Sequence, residues 1–251
     1  MASNDPGYPS FSLVIPAYNE EDYLPLLLDS VDRARSHYAG GEDQIETIVV
    51  DNGSRDRTVE VARERGCRVT IESRRIIAAV RNKGACSALG KILTFVDADS
   101  IIHPETFNAI GECISSGRVV AGATGVKMER MSIGIAAAYV IMVPMVWVTG
   151  MDTGVVFCLK EDFEKIGGYN EERLFAEDVN FLWDMKKLGK LNGRKLVRIT
   201  SVKAVCSTRK FDEHGEWHYV RMLLRFLFTV LFSRSSMEKF AKKYWYGQQR
   251  K

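Results

Sequence analysis

Two carboxylates two residues apart follow an apolar run, a spacing suited to a divalent metal beside a phosphate. Asp97 and Asp99 come directly after the run ILTFV. Mg²⁺ and Mn²⁺ prefer oxygen ligands and are usually bound by one or two carboxylates together with substrate phosphates. The pair by itself is common in proteins, and its specificity here depends on the strand expected before it. We therefore predict that one carboxylate contacts a nucleotide and the other holds Mg²⁺ or Mn²⁺.

Polar clusters also follow two earlier apolar runs. Tyr18, Asn19 and Glu20 come after SLVIP, and residues 51–54 (DNGS) come after IETIVV. Ligands of open parallel sheets bind outside the carboxyl ends of the strands. We therefore expect these clusters and Asp97 to line one crevice, where a carboxylate can bond a ribose hydroxyl or a base N–H. In the alternative interpretation, Asp51 makes a turn and Asp56 caps a helix.

A basic segment precedes the third of these runs. Arg81, Asn82, Lys83 and Gly84 lie shortly before residue 92. Cationic side chains and a glycine suit the approach of a diphosphate. A solvated basic helix face would have the same composition.

A pair of acids stands farther along the chain. Glu177 and Asp178 follow the turn Gly167-Gly168 and head an expected helix. A carboxylate at a helix N-terminus is stabilised there and could take the proton of an attacking hydroxyl. Acids also occupy helix N-termini without any catalytic role, and spacing alone leaves both interpretations open.

Alternating strands and helices would position these residues. The predicted strands are Ser12–Pro16, Ile45–Val50, Arg68–Glu72, Ile92–Val96, Gly154–Leu159 and 197–206, and the predicted helices are one opening at residues 19–21, then 57–65, 75–91, 177–188 and 219–232. This alternation indicates an α/β domain with a mostly parallel central sheet and helices on both faces. Neither G-x-G-x-x-G after the first strand nor G-x-x-x-x-G-K-[ST] occurs, which disfavours Rossmann dehydrogenases and P-loop enzymes.

Composition bounds the class of protein. The 251 residues are 46% hydrophobic and 27% charged, with a net charge of +3, as expected for one large globular domain or two small ones. The five cysteines include no C-x-x-C pair, which predicts free thiols in a reducing cytoplasm rather than a zinc site. No nucleic-acid partner is expected.

The C-terminal segment differs from the rest of the chain. Residues 219–251 hold eight Lys or Arg and the single acid Glu238. An apolar helix over 219–232 followed by lysines and aromatics is typical of a helix lying on an anionic membrane. The alternative is a core or homodimer-interface helix with a solvated charged face. This helix and the apolar stretch 133–148 are too short to span a bilayer.

Several motifs in this order resemble glycosyltransferase family 2, whose members have the GT-A fold. The motifs are Val14-Ile15-Pro16-Ala17-Tyr18-Asn19-Glu20-Glu21, Val49-Val50-Asp51-Asn52-Gly53-Ser54 with Asp56 and Thr58, Arg81-Asn82-Lys83-Gly84, Phe95-Val96-Asp97-Ala98-Asp99, and Gly167-Gly168-Tyr169 leading to Glu177-Asp178. The resemblance covers about residues 11–190. It divides the chain into a polar tail (1–10), a GT-A domain (11–218, with nucleotide-binding and acceptor halves meeting at 100/101) and the C-terminal helix and tail (219–251).

The resemblance implies roles for the matching residues. The residues implied in donor binding are Pro16, Ala17, Tyr18, Glu20, Asp51, Asn52, Ser54, Arg81, Asn82, Gly84, Asp97 and Ala98. Asp99 would hold the Mg²⁺ or Mn²⁺, and Asp178 would be the base of an inverting transfer. A histidine often completes the metal site in this family, and His218 is preferred here over His214.

The implied activity is the transfer of one sugar from a nucleoside-diphosphate donor, with UDP preferred and GDP second. The acceptor is not identified by the sequence, and a peripheral membrane position would bring a lipid-linked acceptor within reach. Two alternatives are a non-catalytic nucleotide-sugar binder and a sugar-1-phosphate nucleotidyltransferase. The second usually has a glycine-rich loop after the first strand, where this chain has Ala17-Tyr18-Asn19-Glu20-Glu21.

Overall fold

The computed structural model describes residues 8–137, 140, 151–173, 177–209 and 215. The predicted C-terminal helix and basic tail (219–251), His214 and His218 lie outside these residues, as does most of the apolar stretch 133–148. The domain boundaries proposed from the sequence therefore stay predictions.

Eight strands form one sheet in the order β3-β2-β1-β4-β7-β6-β8-β5. The strands are β1 Phe11–Ala17, β2 Ile45–Asp51, β3 Arg68–Ile71, β4 Ile92–Phe95, β5 Ser100–Ile101, β6 Val119–Met128, β7 Val156–Leu159 and β8 Lys195–Cys206. The helices are α1 Leu24–His37, α2 Thr58–Glu64, α3 Ile77–Ser87, α4 Thr106–Ser115, α5 Lys160–Lys165 and α6 Glu177–Leu191, with a 3₁₀ turn at Glu42–Gln44.

The first half of the sheet is parallel, as the sequence predicted. β1 pairs in parallel with β2 and β4, and β2 pairs in parallel with β3. The carboxyl ends of these four strands therefore lie at one edge. The second half is mixed, because β7 runs antiparallel to both β4 and β6 while β6 and β8 are parallel.

The apolar runs become strands because both faces of the sheet are covered. All seven residues of β1 are buried. Leu13 and Ile15 pack in a core with residues of α1 and α4, whereas Val14 faces a second core with residues of α3 and α6. The predicted mostly parallel sheet with helices on both faces is thereby confirmed.

One predicted helix is shorter than expected. The pattern over 75–91 predicted a helix to residue 91, but α3 ends at Ser87. The chain must then enter β4 close beside β1, where the Gly90 N–H donates to the Ser12 Oγ at 2.8 Å. A Cβ at Gly90 would lie 2.5 Å from the Phe11 carbonyl carbon, so this approach requires glycine. Within the described residues, no helix has the length and apolar character needed to cross a membrane.

Candidate active site

The loops after β1 and β2 are joined by hydrogen bonds. The Asn19 N–H donates to the Ser54 Oγ at 3.0 Å, and the Glu20 N–H donates to the Thr58 Oγ1 at 2.8 Å. Asn19 has φ of 52°, a left-handed conformation that asparagine tolerates better than most residues. Asp56 accepts from the Thr58 N–H at 3.1 Å, at the first residue of α2. The structure therefore brings the first two polar clusters together.

Asp51 makes a turn at the end of β2. Its two carboxylate oxygens accept from the N–H groups of Gly53 and Ser54, both at 3.1 Å. Asn52 donates to the carbonyl oxygen of Arg74 at 2.9 Å, which ties this turn to the loop after β3. The turn interpretation of Asp51 is therefore observed, and a nucleotide contact by its remaining lone pairs stays a prediction.

Arg75 covers Tyr18 at the mouth of this loop pair. Its guanidinium carbon lies 3.6 Å from the ring centroid, a cation–π contact. The sequence motifs gave no role or pairing for Arg75. The stacked pair lies beside Gly53, whose carbonyl oxygen accepts from Arg75 at 3.4 Å.

Arg81 is a buried cation among three carboxylates. It is 3% exposed. Its Nη1 lies 2.9 Å from both the Glu177 Oε1 and the Asp178 Oδ1, and its Nη2 lies 2.9 Å from the Asp97 Oδ1. The alternative of a solvated basic helix face is therefore wrong for Arg81. This residue links the end of β4 to the start of α6, so the two predicted catalytic regions are in direct ionic contact.

Asp178 is held between Arg81 and Tyr169. The Tyr169 hydroxyl donates to the Asp178 Oδ1 at 3.0 Å. Burial raises the pKa of Asp178 to about 7, opposed by the Arg81 charge and supported by the nearby Glu177 and Asp97 charges. Burial and the Asp178 charge also raise the pKa of Tyr169 well above its ordinary value. Asp178 can therefore exchange a proton near neutral pH, as a general base must.

Asn82 fixes a turn, and Gly84 allows α3 to pack closely on the sheet. The Asn82 side chain accepts from the Tyr169 N–H at 2.8 Å and donates to the Tyr169 carbonyl oxygen at 2.9 Å, which fixes the Gly-Gly-Tyr turn. A side chain at Gly84 would overlap Val14 and Val50. Both residues were predicted to approach a diphosphate. The structure shows a positioning contact for Asn82 and close packing at Gly84, and donor binding by either stays a prediction.

Three further residues of the predicted donor site are buried. Ala17 and Ala98 are each 3% exposed and belong to the same hydrophobic core. Pro16 is a buried residue of β1 that pairs in register with Val50. These residues help to fix the backbone conformation at the strand ends. Any donor contact by them stays a prediction.

The carboxylates of Asp97 and Asp99 are in different environments. The Asp97 side chain is 53% exposed and that of Asp99 is 13% exposed. The Arg209 Nε lies 3.2 Å from the Asp99 Oδ2, and its Nη2 bonds the Glu20 Oε1. Sequence reasoning missed Arg209. The only available signal was a cation three residues beyond the predicted strand 197–206.

The described residues offer few protein ligands for a metal ion. They contain no group of three or more His, Cys, Asp or Glu side chains placed to hold a metal. A magnesium or manganese ion completed by substrate phosphates needs only one or two carboxylates. Asp97 and Asp99 supply carboxylate oxygens of the required hard character, although each is paired with an arginine in the structure, Arg81 and Arg209 respectively. The donor set therefore fits a divalent metal that arrives with a diphosphate.

Comparison with known proteins gives one family. Residues 12–133 match the family model described as Glycosyl transferase family 2. A dolichyl-phosphate beta-glucosyltransferase of Drosophila melanogaster is 36% identical over 98 residues, 35% of this chain and 30% of the relative. An undecaprenyl-phosphate 4-deoxy-4-formamido-L-arabinose transferase of Proteus mirabilis is 27% identical over 164 residues, 61% of this chain and 48% of the relative. The chain thus spans less than half the length of these curated relatives.

Solved structures share the fold. Glucosyl-3-phosphoglycerate synthase from Mycobacterium tuberculosis, in complex with Mn²⁺, uridine diphosphate and phosphoglyceric acid, aligns with a TM-score of 0.62 and 19% identity. The alignment covers 92% of this chain and 81% of the synthase. The GT-A fold predicted from the motifs is thereby confirmed.

Proposed function

Because residues 12–133 belong to glycosyl transferase family 2, as the motifs predicted, we propose that this protein transfers a single sugar, with inversion, from a nucleoside-diphosphate donor. The observation that carries the proposal is the buried Asp178, which Arg81 ties to the strand-end residue Asp97. A proton acceptor thus lies in ionic contact with the expected donor site. An intact acceptor of this kind also argues against the non-catalytic alternative.

The donor would lie across the ends of β1, β2 and β4. Tyr18 and Arg75 offer an aromatic face and a cation, and Asp51 offers a carboxylate. Asp97 would contact the nucleotide and Asp99 would hold Mg²⁺ or Mn²⁺, whose charge would stabilise the diphosphate as it leaves. The structural neighbour with Mn²⁺ and uridine diphosphate supports UDP as the first choice, and GDP remains the second.

Asp178 would receive the proton of the acceptor hydroxyl. The hydroxyl oxygen forms a bond to the anomeric carbon while the bond from that carbon to the diphosphate oxygen breaks. The Tyr169 hydroxyl orients Oδ1 of the carboxylate. Arg81 stabilises its charged form, which must exist before transfer.

Two acceptor classes have specific support. A raised pKa on Asp178 favours a hydroxyl-bearing acceptor, because a hydroxyl must lose its proton during transfer. The names of the two relatives, which refer to dolichyl phosphate and undecaprenyl phosphate, favour a polyprenyl phosphate, whose oxygen is largely ionised at neutral pH. A lipid-linked acceptor would agree with the peripheral anionic-membrane contact predicted for 219–251.

Nucleotide binding is expected to require a divalent metal. UDP titrated calorimetrically into the protein with Mn²⁺ should bind at least about tenfold more tightly than in EDTA, since metal and carboxylates share the diphosphate charge. Uridine, which lacks the diphosphate, should show little dependence on metal. The proposed function is contradicted if neither UDP nor GDP binds in the presence of Mn²⁺ or Mg²⁺.

The transfer rate with a hydroxyl acceptor is expected to rise with pH. The base must be deprotonated, so kcat/KM should increase about tenfold per pH unit below about 7 and level off above it. UDP affinity measured over the same range serves as the control for donor binding. A flat profile between pH 5.5 and 8 would exclude Asp178 as the base for that acceptor.

A further inference from the structure

Arg209 joins two carboxylates from different strand ends. Its guanidinium contacts the Glu20 carboxylate after β1 and the Asp99 carboxylate after β4. These acids are 189 and 110 residues away in the chain. Their side chains are only 12% and 13% exposed. Without a cation between them, these two mostly buried carboxylates would repel each other. Arg209 supplies the compensating positive charge.

The backbone keeps this cation in place. The Ser207 N–H donates to the Asp99 carbonyl oxygen at 3.2 Å, and the Arg209 N–H donates to the Ser207 Oγ at 3.2 Å. The guanidinium also lies 4.4 Å from the Tyr23 ring centroid. These contacts hold the guanidinium beside Asp99. An incoming metal ion must therefore compete for the Asp99 carboxylate with a cation that is already in place.

A divalent ion and Arg209 would compete for the Asp99 carboxylate. Both are positive and both need the same carboxylate, which has limited access to water. Two neighbouring cations repel strongly where solvent is scarce. A nucleoside diphosphate brings several anionic oxygens, which compensate metal and guanidinium together.

We propose that Arg209 is an internal counter-cation of the candidate metal site, which holds Asp99 in the donor-free protein and disfavours a divalent ion until a nucleoside diphosphate is present. This inference rests on the proposed function, because it assigns the metal to Asp99. Metal and donor then bind cooperatively, and by linkage each strengthens the other by the same factor.

The test measures Mn²⁺ affinity by electron paramagnetic resonance, first without nucleotide and then with saturating UDP. In the wild type, Mn²⁺ alone should bind weakly and UDP should strengthen it. Arg209→Gln should tighten Mn²⁺ binding without nucleotide by about tenfold, the effect of removing one competing charged hydrogen-bond donor. The strengthening by UDP should shrink accordingly. Arg209→Lys, which cannot bridge both carboxylates, should give an intermediate affinity.

Arg198→Gln is the matched control. Arg198 lies on β8, the strand that precedes Arg209, and its Nε lies 2.6 Å from the Oδ2 of a mostly buried carboxylate, Asp152, which is not a candidate metal ligand. It should leave Mn²⁺ affinity unchanged. A purely structural Arg209 would lower the melting temperature in Arg209→Gln without tightening Mn²⁺, and this result overturns the inference. If Arg209→Gln does not fold, unchanged Mn²⁺ affinity in Arg209→Lys overturns it equally. Failure of the wild type to bind UDP or GDP with Mn²⁺ contradicts the proposed function instead.

Discussion

Asp178→Asn is expected to lower the rate of transfer to a hydroxyl acceptor by about 10²–10⁴-fold, the usual contribution of a general base. Asparagine has the same shape but cannot take the proton. Arg81 keeps its ion pairs with Asp97 and Glu177, so the donor site should persist. Single-turnover rates with saturating donor measure the loss, and calorimetry with UDP and Mn²⁺ should show affinity within about threefold of the wild type.

Asp184→Asn is the control for this substitution. Asp184 lies on the same helix, with a 46% exposed side chain paired to Lys187, and its loss should leave the rate unchanged. A polyprenyl-phosphate acceptor, already ionised, should show a much smaller effect of Asp178→Asn. Near-full activity with every acceptor tested would remove Asp178 from the mechanism.

Asp178→Asn should also have opposite effects on catalysis and on stability. The folded-state pKa of Asp178 is raised to about 7, so its contribution to stability is present below the unfolded pKa, about 4, and is lost as pH rises through 7. Asparagine stays neutral throughout. We therefore expect the melting temperature of Asp178→Asn, relative to the wild type, to increase between pH 4 and pH 7 even though activity is lost.

Arg81→Met is expected to destabilise the fold by about 3–5 kcal/mol, because breaking a buried ion pair leaves uncompensated charge inside the protein. Methionine fills similar volume without the charge. Three carboxylates would then face each other, namely Asp97, Glu177 and Asp178, and the pKa of Asp178 should rise further. Urea unfolding measures the free-energy loss, and transfer at pH 7 should fall because less of the base is ionised.

Two comparisons make this prediction specific. Arg68→Met removes an arginine whose side chain is 40% exposed and which is paired with Glu46. This substitution should cost less than about 1 kcal/mol. The double variant Arg81→Met with Asp178→Asn should recover part of the stability, since one repelling carboxylate is removed. A loss below about 1 kcal/mol in Arg81→Met, or no recovery in the double variant, would show that Arg81 does not compensate these acids.

The local sequence pattern predicted the first half of the fold correctly. A strand buried on both faces requires a continuous apolar run, and the runs preceding Ala17, Asp51 and Val96 are strands in the structure. Parallel pairing then follows from the helices between them, so the strand-end clusters had to share an edge. The family could be identified from the same residues because its motifs are contiguous.

Which charged groups lie in contact depends on the three-dimensional fold and could not be predicted from the sequence. Arg81 and Glu177 are 96 residues apart, and Arg209 and Glu20 are 189 apart. Periodicity reports whether a face is buried but not which distant group lies against it. Arg81 therefore looked like a surface or phosphate-binding cation, although it is buried among acids. The antiparallel insertion of β7 between β4 and β6 was equally undetermined, because a four-residue apolar run has no direction in its pattern. That insertion completes the sheet beside β4. The pKa of Asp178 likewise depends on burial and on the charges of Arg81, Glu177 and Asp97, which only the folded chain brings together.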